Sequence, residues 1–322
     1  EVNAILDAKK NGQDVFGSDL YVNLEPCSHT KKQTPPCAPL LIEQKIKKVF
    51  ISNIDPNPMV SGNGVLLLRQ YGIEVEVGLL EYEGRLLNEV FFKAMNFKKP
   101  FVHLKMAQTL DGKVALLNGE SKYITGPESL QYVHELRQKY DVIVIGKKTL
   151  LKDNPKLTVR LNSRNSSHPL RAIFCDLRSI DFELNVFSDE FKRNSLIVTT
   201  EVDVISNKEI ALKCESLGIA LLALPENKEG HVGVSAFLRT MYSLKMYSIL
   251  VEGGPTLAAA FLKENAVDKV SIMIAPFILG DGLSTIGSLG IFNLKNMIEL
   301  TNHTITQYGK DFMLEGYLCS QV

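Results

Sequence analysis

Residues 23–37 read NLEPCSHTKKQTPPC. Nine residues separate Cys27 from Cys37, with Pro26 directly before the first cysteine and Pro35 and Pro36 before the second. Upstream, residues 19–25 alternate Leu20, Val22 and Leu24 with more polar neighbours, the period of a half-buried strand. Downstream, residues 38–45 read as a helix with Pro39 in its first turn, where a missing N–H costs nothing. A thiolate at a helix start is favoured by the helix dipole and readily becomes a metal ligand. Two thiolates and one imidazole around Zn²⁺ leave a tetrahedral position open for water, which is the catalytic arrangement. The plain alternative is that both cysteines are small buried hydrophobes, as most intracellular cysteines are.

Working outward, the chain opens EVNAILDAKK, with Val2, Ile5 and Leu6 on one helical face. Zinc nucleobase deaminases carry His-x-Glu at such a helix start, with the Glu moving protons and the cysteines following. Glu1 matches that Glu, and the His would lie two residues before Glu1. Further motifs follow in order: DPNPMVSGNG at 55–64, LDGKVA at 110–115, SKYITG at 121–126, DNPKLTVR at 153–160 and VEGGPTLAAAF at 251–261. Together with EVNA and PCSH…TPPC they resemble the bifunctional deaminase/reductase family of riboflavin biosynthesis, over essentially the whole chain.

The resemblance implies an α/β protein with a cytidine-deaminase-like α/β/α domain at 1–98, followed by a dihydrofolate-reductase-like α/β domain at 99–322. The N-terminal part of the first domain, with its zinc-binding His, is not among the residues present. By resemblance Cys27 and Cys37 are zinc ligands, Glu1 is the catalytic proton shuttle, and Asn3 and His29 contact substrate. The spacing between the cysteines is one residue longer than is usual in the family, which leaves Lys32 and Gln33 as alternatives for a substrate-contacting lysine position. Zinc-dependent hydrolytic deamination of 2,5-diamino-6-(5-phosphoribosylamino)pyrimidin-4-one is the implied first reaction. NADPH-dependent reduction of the ribosyl chain to ribityl is the implied second.

For the reductase half, the resemblance carries Ala107, Tyr123, Thr149 and Asp153 over as cofactor contacts. It also carries over the run Gly254, Pro255, Thr256, Leu257, Ala258, Ala259 and Ala260, which would hold the NADPH phosphates. Ser121, Arg137, Leu157, Arg160 and Glu252 are carried over as substrate contacts. The residues themselves agree in part: a buried strand runs into Gly253 and Gly254, and Pro255 then starts a helix. Glycines let a backbone approach a ligand, and the N–H groups at a helix start attract phosphate. This is not the G-x-G-x-x-G fingerprint, so no Rossmann fold is read from it, and an ordinary Gly-rich turn is the alternative. Two arginines suit a substrate that ends in a phosphate, since guanidinium pairs with phosphate bidentately.

Composition sets the outer limits. The 322 residues are 45% hydrophobic and 22% charged, ordinary for a globular protein of two domains. Formal net charge is zero, which gives no footprint for nucleic acid or an anionic membrane. Five cysteines (27, 37, 175, 214 and 319) have no framework spacing, and a reducing cytoplasm is expected. No apolar run approaches the roughly 18 residues of a membrane span, and no signal peptide is visible. The first domain should alternate helix and strand as a largely parallel sheet: helix 1–10, strand 19–25, helix 38–45, strand 47–54, helix 64–71, strand 73–79 and helix 81–92. The second should carry strands at 101–108, 142–145, 171–175, 195–199, 220–224, 247–251 and 270–275, with a helix at 127–140. Small-molecule substrates and a homo-oligomer formed through the reductase domain are expected. Two other functions stay open on sequence: a reductase with an inactive deaminase domain, and a non-catalytic nucleotide- or RNA-binding module.

Overall fold

A computed structural model describes residues 1–29, 35–121, 124–161 and 168–318. The chain divides into two compact units, the first Glu1–Lys98 and the second starting at Lys99.

In the first unit, α1 (Val2–Lys10) precedes β1 (Asp19–Leu24), α2 (Cys37–Glu43), β2 (Lys48–Asn53), α3 (Asn63–Gln70), β3 (Glu74–Val77), α4 (Glu81–Leu87) and α5 (Glu89–Phe97). The three strands pair in parallel in the order β1-β2-β3. Parallel neighbours need crossovers, and the short amphipathic helices supply them. Ile5, Leu41, Val49, Ile51, Leu68 and Val75 close one core between helices and sheet. The expected helix over 81–92 is two helices, broken at Asn88, whose side-chain amide turns back to the Gly84 carbonyl at 2.9 Å. An Asn that offers the backbone a side-chain partner competes with helix continuation, and apolar periodicity does not register this.

The second unit holds β4 (Phe101–Thr109), β5 (Lys113–Ala115), α6 (Pro127–Lys139), β6 (Val142–Gly146), α7 (Lys147–Asp153), β7 (Leu170–Phe174), α8 (Asn185–Ser188), β8 (Ser195–Thr200), α9 (Glu201–Ser206) and α10 (Lys208–Ser216). It continues with β9 (Ala220–Leu224), α11 (Val234–Ser243), β10 (Ser248–Val251), α12 (Pro255–Lys263), β11 (Lys269–Ala275), β12 (Leu283–Ser284), β13 (Thr301–Tyr308) and β14 (Asp311–Tyr317). Nine strands form one sheet, β13-β14-β11-β4-β10-β6-β7-β8-β9. From β11 to β9 neighbouring strands are parallel, while β14 joins antiparallel to β11 and β13 antiparallel to β14.

Both faces are covered, and the alternation of side chains along β6 shows how. Val142 and Val144 enter a core with Phe237, Met241 and Phe261 of α11 and α12. Ile143 and Ile145 enter the opposite core with Leu136, Leu150 and Phe187. Helix α6 starts with Pro127 at its first position and has no cap from its own side chains. The fully buried Asp311 of β14 caps it from elsewhere in the chain, accepting from the Gly126 N–H and the Ser129 hydroxyl at 2.6 Å each. The β13–β14 hairpin lies beyond the last strand expected from sequence. Its first strand is polar and exposed along nearly its whole length and carries no burial pattern to read.

Candidate active sites, one in each unit

In the first unit a cavity of about 530 Å³ is lined by Glu1, Glu25, Cys27, Cys37 and Asp55, among others. Cys37 is the first residue of α2, with Pro36 as its N-cap in extended conformation, so the helix starts one residue earlier than its sequence suggests. The Cys37 backbone N–H points at the Cys27 sulfur at 3.4 Å, and the Ala38 N–H donates to the Cys27 carbonyl at 3.1 Å. Burial, then the negative charge of Glu1 and the proximity of Cys27, push the Cys37 thiol up to about 12. Two sulfurs beside a carboxylate make the Cys37 thiolate costly, a cost that a divalent cation bound by the sulfurs would relieve. The two thiols suit zinc as two of its ligands, and among the described residues no group of three or more His, Cys, Asp or Glu completes the set.

Other residues frame this cavity. His29 has a buried Nδ1 with no partner among the described residues, the state of a polar atom that waits for a ligand. Asp55 is buried, and burial raises its carboxyl above the ordinary range despite a hydrogen bond from the Asn57 N–H; the Glu25 charge adds to the rise and His29 opposes it. Glu25 is almost wholly buried and accepts four backbone N–H groups, from Asp55, Gly62, Gly64 and Val65, at 2.8–3.2 Å. It ties the loop after β2 to the turn that carries Cys27. Sequence reasoning quoted that loop as a motif but did not single out Glu25 or Asp55, whose partners are set by tertiary approach. Asn3 stands exposed on α1 and does not line the cavity. Lys32 and Gln33 lie outside the described residues.

In the second unit the site collects at the carboxyl ends of β10 and β6, which neighbour each other in the sheet. Glu252 follows β10 directly and forms a bidentate pair with Arg137 of α6, Nε to Oε1 and Nη2 to Oε2, both 2.7 Å. Burial works to raise the Glu252 carboxyl, but the charge and hydrogen bonds of Arg137, with Lys105, outweigh it and hold the carboxyl below its ordinary range. Lys105, on β4, is held below the ordinary lysine range by burial, with the Glu252 charge opposing and that of Arg137 assisting. Ala107 lies two residues along the same strand, on the same face. Arg137 Nη1 also reaches the Thr158 carbonyl at 3.3 Å. The Arg137 fork is therefore committed within the protein, and of the two arginines only Arg160, exposed, has no carboxylate partner among the described residues.

The turn after Glu252 is tightly constrained. A side chain on Gly253 would strike Leu257, and one on Gly254 would lie 3.5 Å from the Thr149 hydroxyl. Pro255 is the first residue of α12, and no side chain caps that helix. Its first free N–H groups are those of Thr256 and Leu257, since the Ala258 N–H donates to the Gly254 carbonyl at 3.1 Å. Ala258 and Ala259 are buried and Ala260 packs against the core, and the open N–H groups of this helix lie in its first turn. An uncapped helix start behind a glycine pair fits a phosphate-bearing cofactor. Ser121 Oγ lies 3.5 Å from Asp153. Leu157 is buried with φ of 53°, a left-handed conformation unusual for leucine, in the segment that carries Arg160. Tyr123 lies outside the described residues.

Comparison with known proteins agrees with this two-site layout. The RibD C-terminal domain matches residues 100–314, and the cytidine and deoxycytidylate deaminase zinc-binding region matches residues 1–53. Riboflavin biosynthesis protein RibD of Aquifex aeolicus is 38% identical over 303 residues, covering 94% of this chain and 81% of that protein. The chain belongs to the RibD family. The RibD protein of Actinobacillus pleuropneumoniae is 37% identical, covering 99% of this chain and 83% of its own length. Among solved structures, Acinetobacter baumannii RibD superposes with a TM-score of 0.81 at 29% identity, covering 99% of this chain and 85% of that one. A Thermotoga maritima diaminohydroxyphosphoribosylaminopyrimidine deaminase/5-amino-6-(5-phosphoribosylamino)uracil reductase has a TM-score of 0.79 at 33% identity, covering 98% and 83%. Like its RibD relatives, the chain is a bifunctional enzyme of riboflavin biosynthesis, with a zinc-binding deaminase domain and an NADPH-dependent reductase domain. The binding-module alternative and the inactive-deaminase alternative are not favoured.

Proposed function

We propose that the unit at 1–98 deaminates 2,5-diamino-6-(5-phosphoribosylamino)pyrimidin-4-one and that the unit at 99–322 reduces the ribosyl chain of the product to ribityl. The observation that carries this is a carboxylate beside paired cysteines in one unit and a carboxylate held beside an uncapped, glycine-led helix start in the other. In the first unit Cys27 and Cys37 would hold zinc, which supplies an activated water when bound. Glu1 would be the proton carrier, serving the ring nitrogen and the leaving ammonia. The unpartnered Nδ1 of His29 addresses the pyrimidine.

In the second unit NADPH supplies the hydride. Thr256 and Leu257 receive its phosphates through their N–H groups, and Gly254 lets the phosphates approach. Thr149, beside Gly254, and Asp153, beside Ser121, would contact the same cofactor. Glu252, aligned by Arg137 and Lys105, holds the pyrimidine or sugar, while Ser121, Leu157 and Arg160 lie along the chain that ends in phosphate. The task of these side chains is to orient the sugar against the nicotinamide.

Further parts of the reading concern the setting. No helix among the described residues is long and apolar enough to cross a membrane, and the described cysteines form no disulfide, which supports a cytoplasmic enzyme. Zero net charge supports small-molecule substrates without nucleic acid. A second copy of the chain is the expected partner, docking on the reductase unit where Ile278, Phe292, Leu294 and Met297 stand exposed and β13 offers an open sheet edge. Sedimentation of the purified chain tests that point, and a monomer at micromolar concentration would refute it. The central test supplies NADPH with either the deaminated or the undeaminated pyrimidine phosphate and follows NADPH oxidation and ammonia release. Oxidation with both, and ammonia from the undeaminated compound alone, is expected. No oxidation with either would overturn the reductase assignment.

A further inference from the structure

His134 stands half-buried on α6, three residues before Arg137 and so on the same face of the helix. Its Nδ1 is 3.3 Å from the backbone nitrogen of Arg160, and its Nε2 is 3.3 Å from a guanidinium nitrogen of the same residue. Both Arg160 groups are donors only, and a neutral imidazole has one accepting nitrogen. The ring can therefore satisfy at most one of the two. If the ring is neutral, one of the two Arg160 donors is accepted and the other is left over. If the ring is doubly protonated, both Arg160 donors are left over and Nε2–H joins them. In every protonation state the two residues present N–H groups without a protein acceptor among the described residues; Arg160 is exposed, and beside its guanidinium a phosphate can take the place of the water that completes them.

The surroundings agree. The charged groups facing His134 are Arg137 on its own helix, Arg160 on the segment before β7 and Glu252 at the end of β10, with the Thr158 carbonyl also at hand. Glu252 is already engaged by Arg137, and among the described residues no other carboxylate faces His134. We infer that His134 is a positioning and specificity-determining residue for the phosphate of the substrate, acting with Arg160, and that phosphate binding brings a proton onto its imidazole. The inference rests on the reading that Arg160 faces that phosphate.

The sign of the coupling follows from the charges. With the site empty, burial first and then Arg137 and Arg160 hold His134 below the ordinary imidazole range. A dianionic phosphate beside Arg160 reverses that field and favours the imidazolium, which donates an N–H to the phosphate. Affinity should rise as pH falls from about 8 toward about 6.5, above the second ionisation of the phosphate near 6.

The experiment titrates the full chain with ribose 5-phosphate, with ribose as control, by calorimetry at one pH in buffers of different ionisation enthalpy. Net proton uptake with ribose 5-phosphate is expected. His134→Gln should bind it about tenfold more weakly and without uptake, as expected for one lost charge-assisted hydrogen bond. In the reductase assay the same variant should raise KM for the pyrimidine phosphate by a similar factor and remove its pH dependence. Its kcat and its KM for NADPH should stay within about twofold. Wild-type binding without proton uptake would overturn the inference, as would a His134→Gln variant with wild-type affinity. Arg160→Gln separates the two levels: if it weakens binding while His134→Gln does not, the phosphate reading stands and the role of His134 falls. If neither variant matters, or ribose 5-phosphate does not bind wild type, both fall.

Discussion

Replacing Glu25 by Gln should loosen the loop beneath the deaminase cavity without touching the reductase unit. Oε1 of Glu25 accepts from the N–H groups of Gly64 and Val65 at 2.8 and 3.1 Å, and Oε2 from those of Gly62 and Asp55 at 2.9 and 3.2 Å. Gln keeps one oxygen and turns the other into an NH₂ group that faces two N–H donors. Two charge-assisted bonds are lost and two buried donors are left unsatisfied. Each such bond contributes about 1.5–3 kcal/mol, and partial relaxation of the loop brings the total to about 2–4 kcal/mol. Hydrogen exchange of residues 55–65, followed by mass spectrometry on the full chain, reads that loss directly. If the loop opens by local fluctuation, exchange should accelerate roughly 30- to 800-fold, with peptides from the reductase unit as the internal reference. Exchange within about threefold of wild type would refute the claim that Glu25 holds this loop.

Other outcomes follow from the second unit. Glu252→Gln leaves Arg137 buried opposite a neutral partner, and breaking a buried pair costs about 3–5 kcal/mol; reductase kcat/KM should fall about 100-fold or more, and a smaller than tenfold loss would count against the pair. Because the Glu252 carboxyl lies below its ordinary range, the pair is intact at neutral pH and is lost only as pH falls through that lowered value, so kcat/KM should show no acid limb from this residue above about pH 4. In Gly253→Ala the new methyl would lie 2.5 Å from Leu257 Cδ2 and 2.9 Å from Leu257 Cβ, so the start of α12 must shift. KM for NADPH should rise at least tenfold with overpacking of about 1–3 kcal/mol, and an unchanged KM would show that the turn is not the phosphate cradle. His103 is buried between the Tyr140 and Ser271 hydroxyls at 2.6 Å each, and burial pushes it down to about 3. A histidine held neutral in the fold takes up its proton only on unfolding, so stability should be full above about pH 6.5 and fall as pH drops from there toward about 3. His103→Gln should flatten that slope in denaturant titrations, and an unchanged slope would assign it to other groups.

Much of the fold was legible because it rests on local periodicity. The buried strand VIVI at 142–145, the strand before Cys27 and the Pro-started helices at 127 and 255 stand where apolar alternation and proline put them. The break at Asn88 and the β13–β14 hairpin were not legible: the first depends on one side chain turning back on its own helix, and the second on a polar edge strand without a buried face. In the sites, Cys27, Cys37, Glu1 and the glycine turn carried a signal through residue type and spacing. Glu25, Asp55, Lys105 and His134 carried none, because each acts through a partner distant in the chain.

The sequence by itself determined the two-part organisation, the alternation of strand and helix, and the chemistry of the residues that bear it. These follow from short-range patterns, in which hydrophobic period, proline and glycine act within a few residues. Only the tertiary structure decided that Arg137 is committed to Glu252, leaving Arg160 as the one of the two without a carboxylate partner among the described residues, and that four amides of the 55–65 loop converge on Glu25. It also decided that Asp311 caps a helix that starts more than 180 residues before it. Buried charges and helix ends must find partners wherever the fold brings them. Which partner lies within 3 Å is a property of packing, and no local pattern encodes it.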